Sequence, residues 1–288
     1  IAEIATAYFN LLEYQDELQI TSYNAELRQK SLELVKNKLV AGTVSGLVVA
    51  QAEAELEQVL TQIPAYEKII AMQENGLKLL IGELPGPVVT GDSIINQINR
   101  DIIPLAGIPS RLIVRRPDII AAEQQLVSAN AQVGVARGMM LPSLAITADI
   151  GYSDLGAGTI SSVVGSLVAP IFNMGKLKAN VRRAQSKKEE MLITYQKAIC
   201  NGLREVSNGI ISVQKQQEVV EESVKLTAVA QHAYDLSAQL FNAGYASYLD
   251  VLNAQRTLYQ AQVYQSQEYN KEMQSIVNLY LALGGGWK

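Results

Sequence analysis

An internal repeat at a fixed offset of 202 residues constrains this chain more than any other feature. The stretch Ala41-Gly42-Thr43-Val44-Ser45-Gly46-Leu47-Val48-Val49-Ala50-Gln51-Ala52 aligns without a gap with Ala243-Gly244-Tyr245-Ala246-Ser247-Tyr248-Leu249-Asp250-Val251-Leu252-Asn253-Ala254, matching at Ala, Gly, Ser, Leu, Val and Ala. The same offset sets Glu3 on Glu205, Leu56 on Leu258, Leu77 on Leu279, Leu79 on Leu281 and Gly82 on Gly284. Two copies of one structural unit are therefore present, and whatever that unit is, the fold contains it twice.

Hydrophobic periodicity identifies the unit. From Leu177 onward Val181, Ala184, Lys188, Met191, Tyr195, Ala198, Gly202, Val206, Gly209, Val213, Gln217, Val220 and Val224 recur every three or four residues, a period near 3.5. That pattern predicts a single helix from about Gly175 to Asn242. At the helical rise such a helix would be on the order of 100 Å long and must lie beside partners of similar length. Ala243-Gly244 breaks it, and Leu249, Leu252, Arg256, Tyr259, Val263, Ser266, Asn270, Met273, Val277 and Tyr280 continue the spacing in a second helix. The unit is an antiparallel helical hairpin, expected at residues 1–82 and again at 173–288.

Between the copies the texture changes. Residues 83–116 hold Pro85, Pro87, Pro104 and Pro109 and read as a loop-rich connector. Pro117 followed by Asp118 and Glu123 starts a helix, expected over 117–141, because proline loses no hydrogen bond in a first turn and early carboxylates oppose the helix dipole. After Pro142 the segment Ser143 to Tyr152 alternates strictly, with Leu144, Ile146, Ala148, Ile150 and Tyr152 on one face and Ser143, Ala145, Thr147, Asp149 and Gly151 on the other. A turn is expected over Ser153 to Ser162 and a second, less regular strand over Val163 to Ala169, within a β-hairpin bounded by residues 142–172. Two strands alone have unpaired edges, so this hairpin must join strands from other chains.

Composition closes off several functions. One His, one Cys, no nucleophile elbow and no metal-ligand spacing leave no expected catalytic, cofactor or metal site. The chain has 24 Lys+Arg against 28 Asp+Glu, a formal charge of −4 without a basic cluster, which argues against nucleic acid. No run of 18 apolar residues exists, so no transmembrane helix is expected. Cys200, inside a helical stretch, is expected to be a buried or half-buried structural thiol. His232 is expected to be packed or solvated, and Gly284-Gly285-Gly286-Trp287 to be a helix stop rather than a phosphate loop.

The residues Ser110-Arg111-Leu112-Ile113-Val114-Arg115-Arg116-Pro117-Asp118-Ile119, with Gly134-Val135-Ala136, Leu141-Pro142, Pro170-Ile171-Phe172-Asn173-Met174-Gly175, Asn242 through Gln255 and Leu279 through Trp287, resemble the TolC-like outer-membrane factors of the NodT/OprM branch. The resemblance covers essentially the whole chain. It implies a homotrimer in the bacterial outer membrane, with long helical hairpins forming a periplasmic α-barrel tunnel and strands completing a twelve-stranded transmembrane β-barrel. The resemblance also implies a passive exit duct for small molecules such as drugs. The duct would work with a periplasmic adaptor protein and an inner-membrane pump of the resistance-nodulation-division type. A soluble coiled-coil adaptor or scaffold is the alternative, though an adaptor would carry one hairpin rather than two.

Site expectations follow from the resemblance and the residues together. Asp250 occupies the position of a gating carboxylate near the second hairpin tip, where three copies around one axis would repel and raise one another's pKa; the bland alternative is a helix-start carboxylate. A second acidic position of the family is Asn253 here. The tips Ala41, Gly42, Thr43 and Ala243, Gly244, Tyr245 are expected to contact the adaptor. The strand face Leu144, Ile146, Ala148, Ile150 and Tyr152 is expected to meet outer-membrane lipid. Arg115, Arg116, Pro117 and Asp118 are expected to be structural, capping a helix and pinning the connector. Because residues 117–202 of the second copy have no counterpart in the first, the chain is expected to be N-terminally incomplete. A second β-hairpin and a signal peptide or lipidated Cys would precede it.

Overall fold

The computed structural model describes residues 1–91, 115–153 and 158–285. The elements in chain order are α1 (Ala2–Val40), α2 (Gly46–Leu60), α3 (Gln62–Ile81), α4 (Pro117–Gly138), β1 (Ser143–Ser153), β2 (Gly158–Val168), α5 (Lys176–Asn242) and α6 (Tyr248–Ala282). Most of the expected connector, residues 92–114, lies outside the described residues. Among the described residues no helix is long and apolar enough to cross a membrane.

Two compact units divide the chain. The first comprises Ile1–Gly107 and Glu205–Lys288, the second Ile108–Arg204. In the first unit the 202-residue repeat reappears in hydrogen bonds. Gly42 N–H donates to the Leu39 carbonyl and Thr43 N–H to that of Lys38, while Gly244 N–H donates to Phe241 and Tyr245 N–H to Leu240. The same pair of bonds closes the far ends, from Gly82 to Leu79 and Glu83 to Lys78, and from Gly284 to Leu281 and Gly285 to Tyr280. These six-to-one and five-to-two pairs are Schellman caps, and they require a residue in the left-handed region. Gly42 and Gly244 take φ values of 73° and 83° there. The repeated leucines also behave alike: Leu56, Leu258, Leu77 and Leu279 are buried, whereas Leu79 and Leu281 face outward.

Among the described residues three apolar clusters hold the first unit together. Near the tips Leu32, Val35, Ala52, Leu56, Phe241, Tyr248, Val251 and Leu252 pack into one. Ala230, Leu258 and Ala261 form the next, and Leu12, Val220, Tyr269 and Met273 a third. The second lies within the α5–α6 hairpin, whereas the first and third join residues of the first repeat to both α5 and α6. Along the stripe expected on α5 every position from Val181 to Val220 is buried or half-buried except Lys188, which is exposed; beyond it Val224 is exposed and Ser223 is buried in its place. Ser223 stands three residues after Val220 and seven before the buried Ala230, so the buried positions keep the 3.5-residue period and Val224 falls one residue outside it. On α6 the expected Leu249 and Tyr280 are exposed, while Val251, Gln255, Leu258 and Leu279 are buried. Helix α6 packs against α1 and shares clusters with α5, so it buries a broader face than one stripe.

The two copies also differ in continuity. Helix α6 runs unbroken, but the corresponding part of the first repeat divides at Thr61 into α2 and α3. Pro64 explains the division: it has no N–H for the Leu60 carbonyl, whereas Ser266, at the same place in the second copy, keeps its own. Beyond α3, Val88 N–H donates to Glu74 (3.2 Å), Thr90 Oγ1 to Gln15 (2.9 Å) and Gly91 N–H to Tyr8 Oη (3.3 Å), which ties this segment back to α3 and α1.

In the second unit β1 and β2 pair antiparallel from Ser143↔Val168 to Ser153↔Gly158. Strand β2 thus begins five residues before the sequence places it. Gly158, Ser161 and Ser162 have turn-forming composition, but each is paired across to β1, and the cross-strand ladder overrides that local preference. Cys200 also departs from expectation. It is exposed, because the neighbouring Gly202 occupies the helix face that meets α4.

Candidate functional site

The two hairpin tips are built alike and finished differently. Ser45 and Ser247 both stand in extended conformation before their helices. Only Ser247 forms a capping box: its N–H donates to Asp250 Oδ2 (2.9 Å), its Oγ bonds the same oxygen (2.7 Å), and Asp250 N–H donates back to Ser247 Oγ (3.3 Å). Asp250 corresponds to Val48 in the first copy, which has no carboxylate to return a bond to Ser45, and Ser45 makes no side-chain cap hydrogen bond there. The Ser247 hydrogen bonds hold the Asp250 carboxyl below its ordinary value. Within one chain Asp250 is therefore an exposed helix-start carboxylate, with the direction of its shift set by the cap. Asn253 lies one turn further, exposed, and its carbonyl accepts from Thr257 Oγ1 (2.9 Å).

Ala41, Gly42, Thr43, Ala243 and Gly244 are exposed and Tyr245 is 85% exposed, so both tips present backbone and side chains outward. Beneath them Lys38 Nζ lies 4.0 Å over the Phe241 ring and donates to the Phe241 carbonyl (2.9 Å). The last turn of α1 thereby caps the last turn of α5, a link that the tip motifs by themselves do not announce.

About three helical turns deeper along α1, charge joins the two copies of the repeat. Arg28 Nη1 donates to Glu55 Oε2 (2.6 Å) and to the Glu55 carbonyl (2.5 Å), while Arg256 Nη2 donates to Glu55 Oε1. The Arg28 and Glu55 side chains are 5% and 8% exposed, against 50% for Arg256. Burial alone would raise the Glu55 carboxyl, but the Arg256 hydrogen bond and the Arg28 charge hold it below the usual range. Nothing in local spacing marks this triad, because Arg28, Glu55 and Arg256 belong to three different helices.

A second polar seam runs between α1 and α6. Asn270 Nδ2 donates to Asn10 Oδ1 (2.9 Å) and to Glu13 Oε2, Gln274 Nε2 donates to Asn10 Oδ1 (2.8 Å), and Gln267 Nε2 donates to Glu17 Oε1 (2.8 Å). Burial, partly opposed by the Asn270 hydrogen bond, raises the Glu13 carboxyl to about 7.

In the second unit Arg116 stands in extended conformation directly before α4, and Pro117 occupies the first helical turn. Arg116 Nε donates to Asp118 Oδ1 (3.0 Å) and Nη2 to Oδ2 (2.7 Å), and Asp118 Oδ1 also accepts from Ile119 N–H (3.0 Å). The Arg116 hydrogen bonds keep the Asp118 carboxyl low. A Cβ at Gly202 would lie 3.2 Å from Ile119 Cδ1 and 3.4 Å from Arg116 Nε, so the glycine permits the close approach of α5. Arg115 is exposed.

The β-hairpin is exposed on both faces. Leu144, Ile146 and Ile150 are each at least 70% exposed. Their ladder partners are Leu167, Gly165 and Ser161, and Ala148 pairs with Val163. Thr147 stands beside Val164 and Asp149 beside Ser162 on the other face. Tyr152 is placed by its backbone alone, opposite Thr159. Among the described residues no group of His, Cys, Asp and Glu could hold a metal ion.

A family model described as "Outer membrane efflux protein" matches residues 1–83 and 108–285. The whole chain is 34% identical to the solvent efflux pump outer membrane protein SrpC of Pseudomonas putida and 32% identical to the pyoverdine export outer membrane protein OpmQ of Pseudomonas aeruginosa. In each case it spans 62% of the relative's length. Among solved structures, the outer-membrane channel OprN superposes with a TM-score of 0.90 at 27% identity, covering 99% of this chain and 66% of that one.

Proposed function

The chain belongs to the outer membrane efflux protein family, and from that premise we propose that it is a subunit of a trimeric outer-membrane channel, the passive exit duct of a tripartite export system. Its helical hairpins would wall a periplasmic tunnel, and its β-hairpin would contribute strands to a barrel shared between chains. The observation that carries this reading is the exposed β-hairpin. Two strands of 11 residues, matching the length that spans a bilayer at a tilt, have no neighbouring strand and no core beneath them among the described residues. Closure with strands of other subunits removes the unpaired edges.

The finer assignments follow from the same reading. Leu144, Ile146, Ala148, Ile150 and Tyr152 form the lipid face. The two tips dock a periplasmic adaptor protein, which connects the channel to an inner-membrane pump of the resistance-nodulation-division class. Small molecules such as drugs pass through; the two relatives are named for solvent efflux and pyoverdine export. Asp250 lines the periplasmic constriction while keeping its capping box, and Asn253 stands where a second carboxylate would complete a cation trap.

Purification of the full-length protein in mild detergent tests the core of the proposal. A heat-resistant trimer that forms ion-conducting pores in planar bilayers is expected. A monomer without conductance would overturn it. Asp250→Ala in those pores should raise conductance and reduce cation preference; unchanged values would remove Asp250 from the gate.

A further inference from the structure

Between α1, α2 and α6 of the first unit lies a cavity of about 260 Å³, lined by Arg28, Glu55, Gln58, Gln62, Arg256 and Tyr259 among others. Its charges do not balance. Glu55 spends one oxygen on Arg28 and the other on Arg256, so two guanidiniums share one carboxylate. An arginine carries five N–H donors, and those that Glu55 and Asn24 do not engage remain available at the cavity.

The surrounding amides have the same deficit of acceptors. Asn24 accepts from Arg28 Nε through Oδ1 (2.9 Å), which holds its amide beside the guanidinium, yet its buried Nδ2 has no hydrogen-bond partner. Tyr259 Oη donates to Gln62 Oε1 (2.5 Å), which leaves the Gln62 amide nitrogen as a further donor at the cavity wall. Burial lowers the proton affinity of Arg28, Glu55 opposes that effect, and the like charge of Arg256 adds to it. A buried cation stabilised by half a counterion is costly, and an added negative charge relieves it.

We propose that this cavity is a binding site for a compact monovalent anion, a halide or a small carboxylate, held between Arg28 and Arg256. The excess is one positive charge, which favours a monoanion over phosphate or sulfate. Filling the site would neutralise the joint at which α6 of the second hairpin meets α1 and α2 of the first.

Crystals of the full-length protein soaked in sodium bromide provide the test. A bromine anomalous peak is expected beside the Arg28 and Arg256 guanidiniums. Arg256→Gln, which leaves Arg28 and Glu55 as a neutral pair, should abolish it. Excess acetate during the soak separates the sources: loss of the peak assigns the site to carboxylates, retention to halides. Glu55→Gln removes the internal competitor, so its melting midpoint should rise with bromide by more than that of Arg256→Gln in the same buffers. No peak in the wild type, a peak of wild-type strength in Arg256→Gln, or equal bromide response of the two variants would overturn the site.

Discussion

Arg256 on α6 and Glu55 on α2 meet across 201 residues of sequence, and because Glu55 also accepts from the buried Arg28 on α1, one carboxylate joins three helices drawn from both copies of the repeat. The two ends of this relationship differ in burial, so they differ in consequence. Glu55→Ala leaves Arg28 buried without its counterion and should destabilise the protein by about 3–5 kcal/mol. Arg256→Gln removes a half-exposed cation and should cost under about 1 kcal/mol. Thermal unfolding of the two variants in detergent, monitored by circular dichroism, measures both; equal losses would show that Arg28 does not depend on Glu55.

Glu13 makes the α1–α6 seam sensitive to pH. Its carboxyl is raised by burial to about 7 against an unfolded value near 4.5, so the folded state binds the proton more tightly. The contribution to stability is complete below about 4.5 and is lost as pH rises through about 7. Glu17 on the same helix works in the same direction, and Lys271 on α6 opposes it. Hydrogen exchange of α1 amides should show stronger protection at pH 5 than at pH 8, after correction for the intrinsic exchange rate. Glu13→Gln should flatten that difference, and a variant with the wild-type pH profile would refute the assignment.

Gly244 tests the tip geometry. A Cβ there would meet nothing within 4 Å, so any cost of substitution comes from the backbone at φ 83° rather than from crowding. Gly244→Ala should destabilise by roughly 1 kcal/mol, and Gly244→Asn by less, because asparagine tolerates the left-handed region. Gly42, with φ 73° and equally open space, should respond in the same order. Equal melting midpoints for Ala and Asn variants at both tips would contradict the Schellman caps.

Adjacent strand residues test the barrel. Ile146 pairs with Gly165 and Thr147 with Val164, on opposite faces of the ladder. If the face of Ile146 meets lipid, Ile146→Arg should cost about 2–4 kcal/mol near the bilayer midplane, while Thr147→Arg should be tolerated. Folding yield into lipid vesicles, read by heat-modifiable gel migration, distinguishes the two. Equal tolerance would dispose of the lipid-facing assignment.

The amino-acid sequence by itself determined what depends on local chemistry. The 202-residue repeat marks both hairpins, and Gly42, Gly82, Gly244 and Gly284 mark where helices stop, because only a left-handed residue completes those caps. Pro117 announces α4, and the alternation from Ser143 to Tyr152 announces β1. The carboxylate at Asp250 was visible as a helix start, and its capping box with Ser247 uses residues three apart.

Tertiary structure decided the rest, for reasons that spacing along the chain does not contain. Strand β2 starts at Gly158 because β1 supplies its partners, against a composition suited to a turn. The buried stripe of α5 passes from Val220 to Ser223 because the packed face takes the three-residue step where local spacing allows three or four, and Cys200 stays outside because Gly202 faces α4. Arg256 and Asn270 stand on the stripe expected for α6, but no local spacing marks their partners Glu55, Arg28 and Glu13, so the triad and the seam exist only once the helices are packed. Helical periodicity states that a face exists; which charges that face buries is set by the neighbour that covers it, and here that neighbour lies about two hundred residues away.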